Sequence, residues 1–189
     1  MNKTVILKVK IWWRAAVLLL LILNLPAQSF GQVFQTITYT VTINDVSLIR
    51  INPYAIVNMN LLASAAGESM APKTNSTSYL QLTSIAPANQ TRRVMAVISS
   101  GTVPTGTMLR LTVGSSSGVG NFGVPASTIT LQRGTNQDII NNIGSGYTGG
   151  STGNGFNLTY TWQIDPSTFR FIRAVLSVPI ILTYTITSN

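Results

Sequence analysis

The chain offers few residue types that perform chemistry. It contains no histidine and no cysteine, which excludes Ser-His-Asp and Cys-His catalysis as well as zinc or copper sites built from nitrogen and sulfur ligands. Beyond residue 31 the only carboxylates are Asp45, Glu68, Asp138 and Asp165. Two carboxylates suffice for a glycosidase, but Asp45 and Asp165 stand in sequences typical of turns. No calcium-loop spacing is present either. We therefore predict a non-enzymatic protein with no catalytic residue, no metal site and no cofactor.

Two glycine patterns match the G-x-G-x-x-G string of dinucleotide-binding proteins, at Gly118/Gly120/Gly123 and at Gly144/Gly146/Gly149. That string holds a pyrophosphate only where a strand precedes it and a helix follows it. The first match runs into Pro125 and a candidate strand, and the second runs into more glycine. We interpret both as chance matches.

The basic residues are scattered along the chain. The whole sequence has twelve basic and four acidic residues, and four of the basic ones fall within residues 1–31. Among the remaining eight, only Arg92 and Arg93 are adjacent. Nucleic-acid-binding proteins concentrate positive charge on one face or segment, so we expect no nucleic-acid partner.

The N-terminal residues have the layout of a secretory signal peptide. Basic residues precede an apolar run at residues 15–25, Pro26 ends that run, and small residues follow. The run is too short to cross a bilayer, which takes about 20 apolar residues. We predict cleavage between Gly31 and Gln32, with a cut after Ser29 as the alternative. Residues 1–31 are then a signal peptide, and residues 32–189 are one secreted domain without an integral membrane span. Its location would be periplasmic, extracellular or on the cell surface.

Alternation with a period of two dominates the rest of the chain. Residues 36–43 place threonines on even positions and apolar residues on odd ones, and Val33 is a further apolar residue at an odd position; this is the pattern of a half-buried strand. Turn residues separate further candidate strands at residues 46–51, 56–62, 78–85, 92–99, 107–113, 127–132, 157–164, 171–178 and 180–187. The pattern of residues 138–143 fits a short helix or a strand, and we favour a strand or an irregular edge. Many short strands with regular turn signals predict an all-β protein, an antiparallel sandwich or barrel.

One glycine-rich segment, residues 144–155, is expected to be a flexible loop at the tip of a hairpin that ends in the strand 157–164. It carries Tyr147, which we take as a candidate ligand contact because a ring in such a loop is exposed. Tyr160 and Trp162 share one face of the following strand and are assigned to the core.

The outward faces of the terminal strands carry threonine in place of charge. Soluble proteins guard strand edges with charge or proline, and residues 36–43 and 180–187 use little of either. The two segments also share an I/L-T-Y-T-V/I-T pattern. We predict that they pair with another chain by β-strand addition. The candidate pairing residues are Ile37, Tyr39, Val41 and Ile43 in the first segment and Leu182, Tyr184 and Ile186 in the second.

The order of these features resembles the small secreted β-sandwich proteins of Gram-negative bacteria that are grouped with fimbrial subunits and spore-coat-protein-U-like domains. The features are a signal peptide, a Thr-rich alternating strand, Gly/Ser-rich hairpins and a final strand with the pattern of Leu182–Ile186. The resemblance implies a single antiparallel immunoglobulin-like β-sandwich that assembles by strand exchange. Many such subunits have a disulfide, and this chain has no cysteine.

Three hypotheses of function follow from the sequence. The first is a secreted structural or adhesive cell-surface protein that associates with itself or with other surface proteins. The second is a secreted module that binds carbohydrate or another ligand. The third is a small outer-membrane barrel.

Overall fold

The computed structural model describes Trp13–Arg14 and Gln35–Asn189. The predicted cleavage site at Gly31 and Gln32 lies outside these residues. The chain divides into two units, Met1–Val41 and Thr42–Asn189, and every strand of the described residues falls in the second. The strands are β1 (Val46–Asn52), β2 (Lys73–Ile85), β3 (Arg92–Ser100), β4 (Thr107–Val113), β5 (Val119–Gly120), β6 (Val124–Pro125), β7 (Ile129–Thr130), β8 (Gln137–Ile143), β9 (Gly146–Tyr147), β10 (Phe156–Ile164) and β11 (Ile181–Ser188). A 3₁₀ helix, Pro166–Phe171, precedes β11.

These strands form two sheets. In the first sheet β1, β2, β10, β4 and β7 lie side by side, and the short β9 and β5 continue the sheet beside β2. The second sheet has the order β11-β3-β8-β6. Every strand pairing is antiparallel. The predicted all-β antiparallel sandwich is therefore confirmed.

The hydrophobic core lies between the two sheets. It is built from alternate positions of the central strands, as the period of a pleated strand requires. β2 and β10 supply Leu80, Phe156 and Leu158 from the first sheet, and β3 supplies Val94 and Ile98 from the second; all five are essentially inaccessible to solvent. Tyr160 is buried and Trp162 packs against the core, as the alternation predicts.

Most of the predicted strands form. The strands expected at 46–51, 78–85, 92–99, 107–113, 138–143, 157–164 and 180–187 correspond to β1, β2, β3, β4, β8, β10 and β11, of which β2 begins five residues earlier than predicted. The strand expected at 127–132 is reduced to the two residues of β7.

Three other predicted strands are wrong. Residues 35–43, the described part of the first alternating segment, form no strand, and neither do residues 56–62. Both segments have strand composition but lack a neighbouring strand among the described residues, and a strand exists only where a ladder satisfies its backbone. Residues 171–178 fail for a local reason. Asp165 accepts hydrogen bonds from the Ser167 amide and hydroxyl, and Pro166 starts the 3₁₀ helix, which turns the chain out of the sheet.

The glycine-rich segment is also not the tip of a hairpin. It leaves β8 in the second sheet and enters β10 in the first, with β9 in between. It therefore crosses the end of the sandwich. It is held to the outer face of the first sheet, because the Gln81 side chain donates hydrogen bonds to the Ser151 and Asn154 carbonyls at 2.7 and 3.1 Å.

Candidate functional site

The predicted pairing residues of the N-terminal segment project into solvent. Ile37, Tyr39, Val41 and Ile43 are between 69% and 83% exposed, and residues 35–44, which we call the arm, have no strand partner in the part of the chain that the structure describes. The sequence predicts a half-buried strand here. This strand does not form among the described residues, because alternation specifies which side chains share a face and says nothing about what covers that face.

The predicted pairing residues of the second segment lie on an edge strand, β11. β11 pairs on one side with β3, from Ile181 opposite Ser100 to Ser188 opposite Arg92. On its other side, no strand of the described residues is bonded to it. β1 is likewise bonded only to β2. The two edge strands are neighbours across the sandwich, with Cα atoms within 8 Å of each other.

The core is incompletely covered between these two edges. Leu182, Tyr184 and Ile186 of β11 and Ile49 and Ile51 of β1 pack against the core but are only half-buried. The inward-facing residues of the adjoining strands β2 and β3 are almost fully buried. The β1 and β11 edges thus share an open margin, a line of apolar side chains that the sandwich leaves partly in contact with water.

A hydrogen bond between two tyrosines closes the deep side of this margin. The hydroxyls of Tyr160 on β10 and Tyr184 on β11 are 2.5 Å apart and join the two sheets. Burial raises the pKa of Tyr184 well above its ordinary value, and the neighbouring Tyr160 adds to that rise. Burial also raises the pKa of Tyr160, although the bond from Tyr184 offsets part of the effect. The folded state therefore favours both phenols in their neutral form.

A buried cation fixes the point where the arm joins β1. The side chain of Arg92 is 5% exposed. Its guanidinium donates hydrogen bonds to the Ser84 hydroxyl at 2.6 Å, to the Val46 carbonyl at 2.9 Å and to the Asp45 carboxylate, with which it forms an ion pair. Sequence reasoning treats Asp45 as a turn residue and Arg92 as one of several scattered charges. The ion pair joins residues far apart in the sequence, and no local pattern predicts it.

Tyr147 lines a shallow cleft on the outer face of the first sheet. The register places Tyr147 beside Thr83, and Thr83 beside Leu48, so the three share a face. Val119 of β5 extends the same row. The cleft has a volume of about 460 Å³ and also includes Arg50, whose guanidinium bonds to the Gln81 side chain and the Gly150 carbonyl, both at 2.6 Å. The expectation that Tyr147 is exposed is confirmed.

Each of the four carboxylates has a nearby partner. Asp45 pairs with Arg92, Asp138 with Arg93, Glu68 with the Ser64 hydroxyl and Asp165 with Ser167. The Ser167 hydroxyl and amide hold the pKa of Asp165 below its usual value. Within the described residues, no three acidic side chains form a group that could hold a metal ion. Four glycines of the two G-x-G-x-x-G strings, Gly118, Gly120, Gly123 and Gly146, lie where a Cβ would meet neighbouring backbone. At Gly118, for example, it would overlap the Tyr147 carbonyl.

Comparison with protein families, with curated proteins and with solved structures finds no match to this chain. Among the described residues, no helix has the length and apolar character needed to cross a membrane. The features of the described residues that bear on function are the arm, the open margin and the cleft.

The tyrosine pair gives a pH prediction. A phenol whose pKa is raised in the folded state contributes stability below its unfolded pKa of about 10 and loses it as the pH rises above that value. We expect the free energy of unfolding, measured by urea denaturation from about pH 8 to about pH 11, to fall above about pH 10, by up to about 1.4 kcal/mol per pH unit for each tyrosine.

The double variant Tyr160→Phe/Tyr184→Phe should flatten this fall, because it removes both ionisable hydroxyls and leaves neither without its partner. The exposed Tyr147→Phe is the matched control and should keep the wild-type profile. A double variant that loses stability as steeply as the wild type would contradict the assignment.

Proposed function

We propose that this protein is a secreted, non-catalytic structural or adhesive protein of the cell surface, and that its copies assemble by β-strand pairing. The observation that supports the proposal is that, among the residues that the structure describes, the alternating arm has no strand partner and the open margin has no covering strand. The arm of one copy is the occupant that we assign to the open margin of another.

The arm and the margin fit in length and periodicity. Residues 36–43 span eight positions, as do the eight residues of β11. Alternate side chains of an extended strand repeat about every 6.6–6.8 Å. The four apolar residues of the arm would therefore have the same spacing as Leu182, Tyr184 and Ile186. In such a complex the main-chain hydrogen bonds supply affinity, and the side chains that enter the margin fix the register.

The strand order supports the same position for the arm. In immunoglobulin-type sandwiches one sheet has the order A-B-E-D, and in the other C pairs with F and F pairs with G. Here β1, β2, β10 and β4 follow the first order, and β3 and β11 take the places of C and F. The place of strand G, on the far side of β11, has no strand among the described residues, and a donated arm would fill it.

The two surfaces also lack the features that prevent pairing. Residues 35–44 and β11 contain no charged residue and no proline, whereas edge strands of monomeric proteins are protected by both. Their outward faces carry threonine, which suits an exposed sheet face. The competing arrangement is intramolecular, in which the arm folds back at Asn44–Asp45 onto the free edge of its own β1. That arrangement would be independent of protein concentration.

Substitutions on the two faces of the arm test the proposal. Tyr39→Ser/Val41→Ser removes side chains that would enter the margin, and Thr38→Ser/Thr40→Ser changes the opposite face by the same number of residues. Losing two buried large side chains costs about 3–6 kcal/mol, so we expect assembly to weaken by about a hundredfold or more in the first variant. The second should assemble like the wild type. Analytical ultracentrifugation over a concentration series, with electron microscopy for filaments, measures both.

Deletion of residues 32–44 is the stronger test of the same idea. The shortened protein should remain monomeric and should bind a synthetic peptide of residues 35–45. If it assembles like the parent protein, the arm is not the connector. Monomers at every concentration for both the parent and the deletion variant would favour the intramolecular hairpin.

The cleft at Tyr147 supports a second candidate function, the binding of carbohydrate. An exposed aromatic ring, the hydroxyl of Thr83 and the guanidinium of Arg50 line one cleft, and protein sites for small ligands combine apolar surface with a few fixed polar groups. A sugar would place its apolar face on the Tyr147 ring and its hydroxyls on the polar groups.

Glycan-array binding of the purified protein tests this candidate. Binding should fall at least about tenfold in Tyr147→Ala, since an aromatic contact of this kind contributes about 0.5–1.5 kcal/mol beyond the area it buries. Tyr54→Ala, which removes an exposed tyrosine of a different loop, should leave it unchanged. Equal binding by both variants would show that the cleft is not the site.

A further inference from the structure

One end of the sandwich carries a concentration of exposed apolar side chains. The register brings the end of β10 beside the starts of β2 and β4, with Trp162 opposite Lys73 and Ile164 opposite Thr107, and the start of β11 beside the end of β3. The loops 53–72, 101–106 and 165–180 therefore emerge together. Two of them present large hydrophobic residues to solvent: Tyr54, Ile56 and Leu62 in the first, and Phe169, Phe171, Val175, Leu176 and Val178 in the last. We call this surface the apolar end.

The loop 165–180 is fixed against the sandwich at two points. Its exposed apolar residues are therefore exposed in a packed loop. Ile172 points inward onto Gly106, where a Cβ would overlap the Ile172 Cγ1 atom. Gly101 similarly approaches the Pro179 carbonyl. Between these two anchors Leu176 is 98% exposed and is followed by Ser177 at a φ of 47°. A non-glycine residue in the left-handed region marks a strained turn, and this turn projects the leucine.

The charge of the apolar end is positive. No acidic residue occurs from Pro166 to Asn189, and the exposed Arg170 and Arg173 form no ion pair within the described residues. Arg170 lies over the Phe171 ring at 4.6 Å, which places cation and aromatic ring on the same patch. Lys73 adds a further cation at this end.

The carboxylates near this end are already engaged. Asp165 accepts two hydrogen bonds from Ser167, and Glu68 accepts one from the Ser64 hydroxyl. A hydrogen bond from a neutral serine leaves the charge of the carboxylate in place, so Asp165 and Glu68 offset two of the three cations Arg170, Arg173 and Lys73. The positive excess at this end is therefore small, and the loop 165–180 itself presents arginines beside apolar side chains.

We infer that the apolar end docks on an anionic phospholipid surface. Aromatic and aliphatic side chains beside arginines are the composition of interfacial membrane anchors, in which the apolar groups enter the boundary between headgroups and acyl chains while the guanidinium groups remain at the phosphates. Phe169, Phe171 and Leu176 would enter the lipid, and Arg170 and Arg173 would contact the phosphates. This inference is independent of the arm, which lies elsewhere in the sequence.

Vesicle co-sedimentation of the exported protein tests the inference. We expect binding to vesicles of phosphatidylcholine and phosphatidylglycerol that is at least about tenfold stronger than to phosphatidylcholine alone, because each basic residue adds to the attraction, and salt should weaken it. Phe171→Ser/Leu176→Ser should lower the binding at least about tenfold. Arg170→Gln/Arg173→Gln should remove most of the preference for the anionic vesicles. All the substituted side chains are exposed, and circular dichroism confirms that each variant is folded.

Leu48→Ser/Val119→Ser is the matched control, because it removes two exposed apolar side chains from the face of the first sheet. It should bind the anionic vesicles like the parent protein. Absence of vesicle binding, or an equal loss in the control, would overturn the inference. Loss of self-association by Phe171→Ser/Leu176→Ser without lipid would also overturn it and would assign the apolar end to contacts between copies.

Discussion

The fold depends on the requirement that every strand find a partner for its backbone. With no disulfide and few charged side chains, the sandwich is held by antiparallel ladders and by the core between its sheets. The central strands meet that requirement on both sides. β1 and β11 meet it on one side within the described residues, and the arm meets it on neither. The proposed assembly pairs the unbonded backbone of the arm of one copy with the unbonded edge of β11 in another.

Two sets of polar contacts fix the positions of the strands on either side of the open margin. The Tyr160–Tyr184 bond joins β10 to β11 across the core, and Arg92 ties Asp45 and Val46 to Ser84. A buried polar group is costly without a partner, so each contact specifies one arrangement of the edge strands. Together they hold both sides of the margin in place while its apolar residues stay half-exposed.

The sequence predicts the class of fold and most long strands because alternation reports which residues face the core. It fails where pairing depends on distant residues. Residues 35–43 and 56–62 alternate or are apolar, yet find no neighbouring strand in the described chain. Asp165 and Pro166 turn the segment before β11 into a 3₁₀ helix. The candidate pairing residues are predicted from their pattern alone. The Arg92–Asp45 pair and the cleft at Tyr147 join residues far apart in sequence, and no local pattern predicts those contacts.

Hydrogen–deuterium exchange of the arm, followed by mass spectrometry, measures whether the arm joins a ladder when copies of the protein assemble. In dilute monomers the amides of residues 36–43 should exchange at the rate of an unpaired chain. In concentrated assemblies they should become protected together with the outward amides of β11, because a new ladder joins them. Assemblies in which residues 36–43 exchange as fast as in the monomer would show that the arm does not pair with β11.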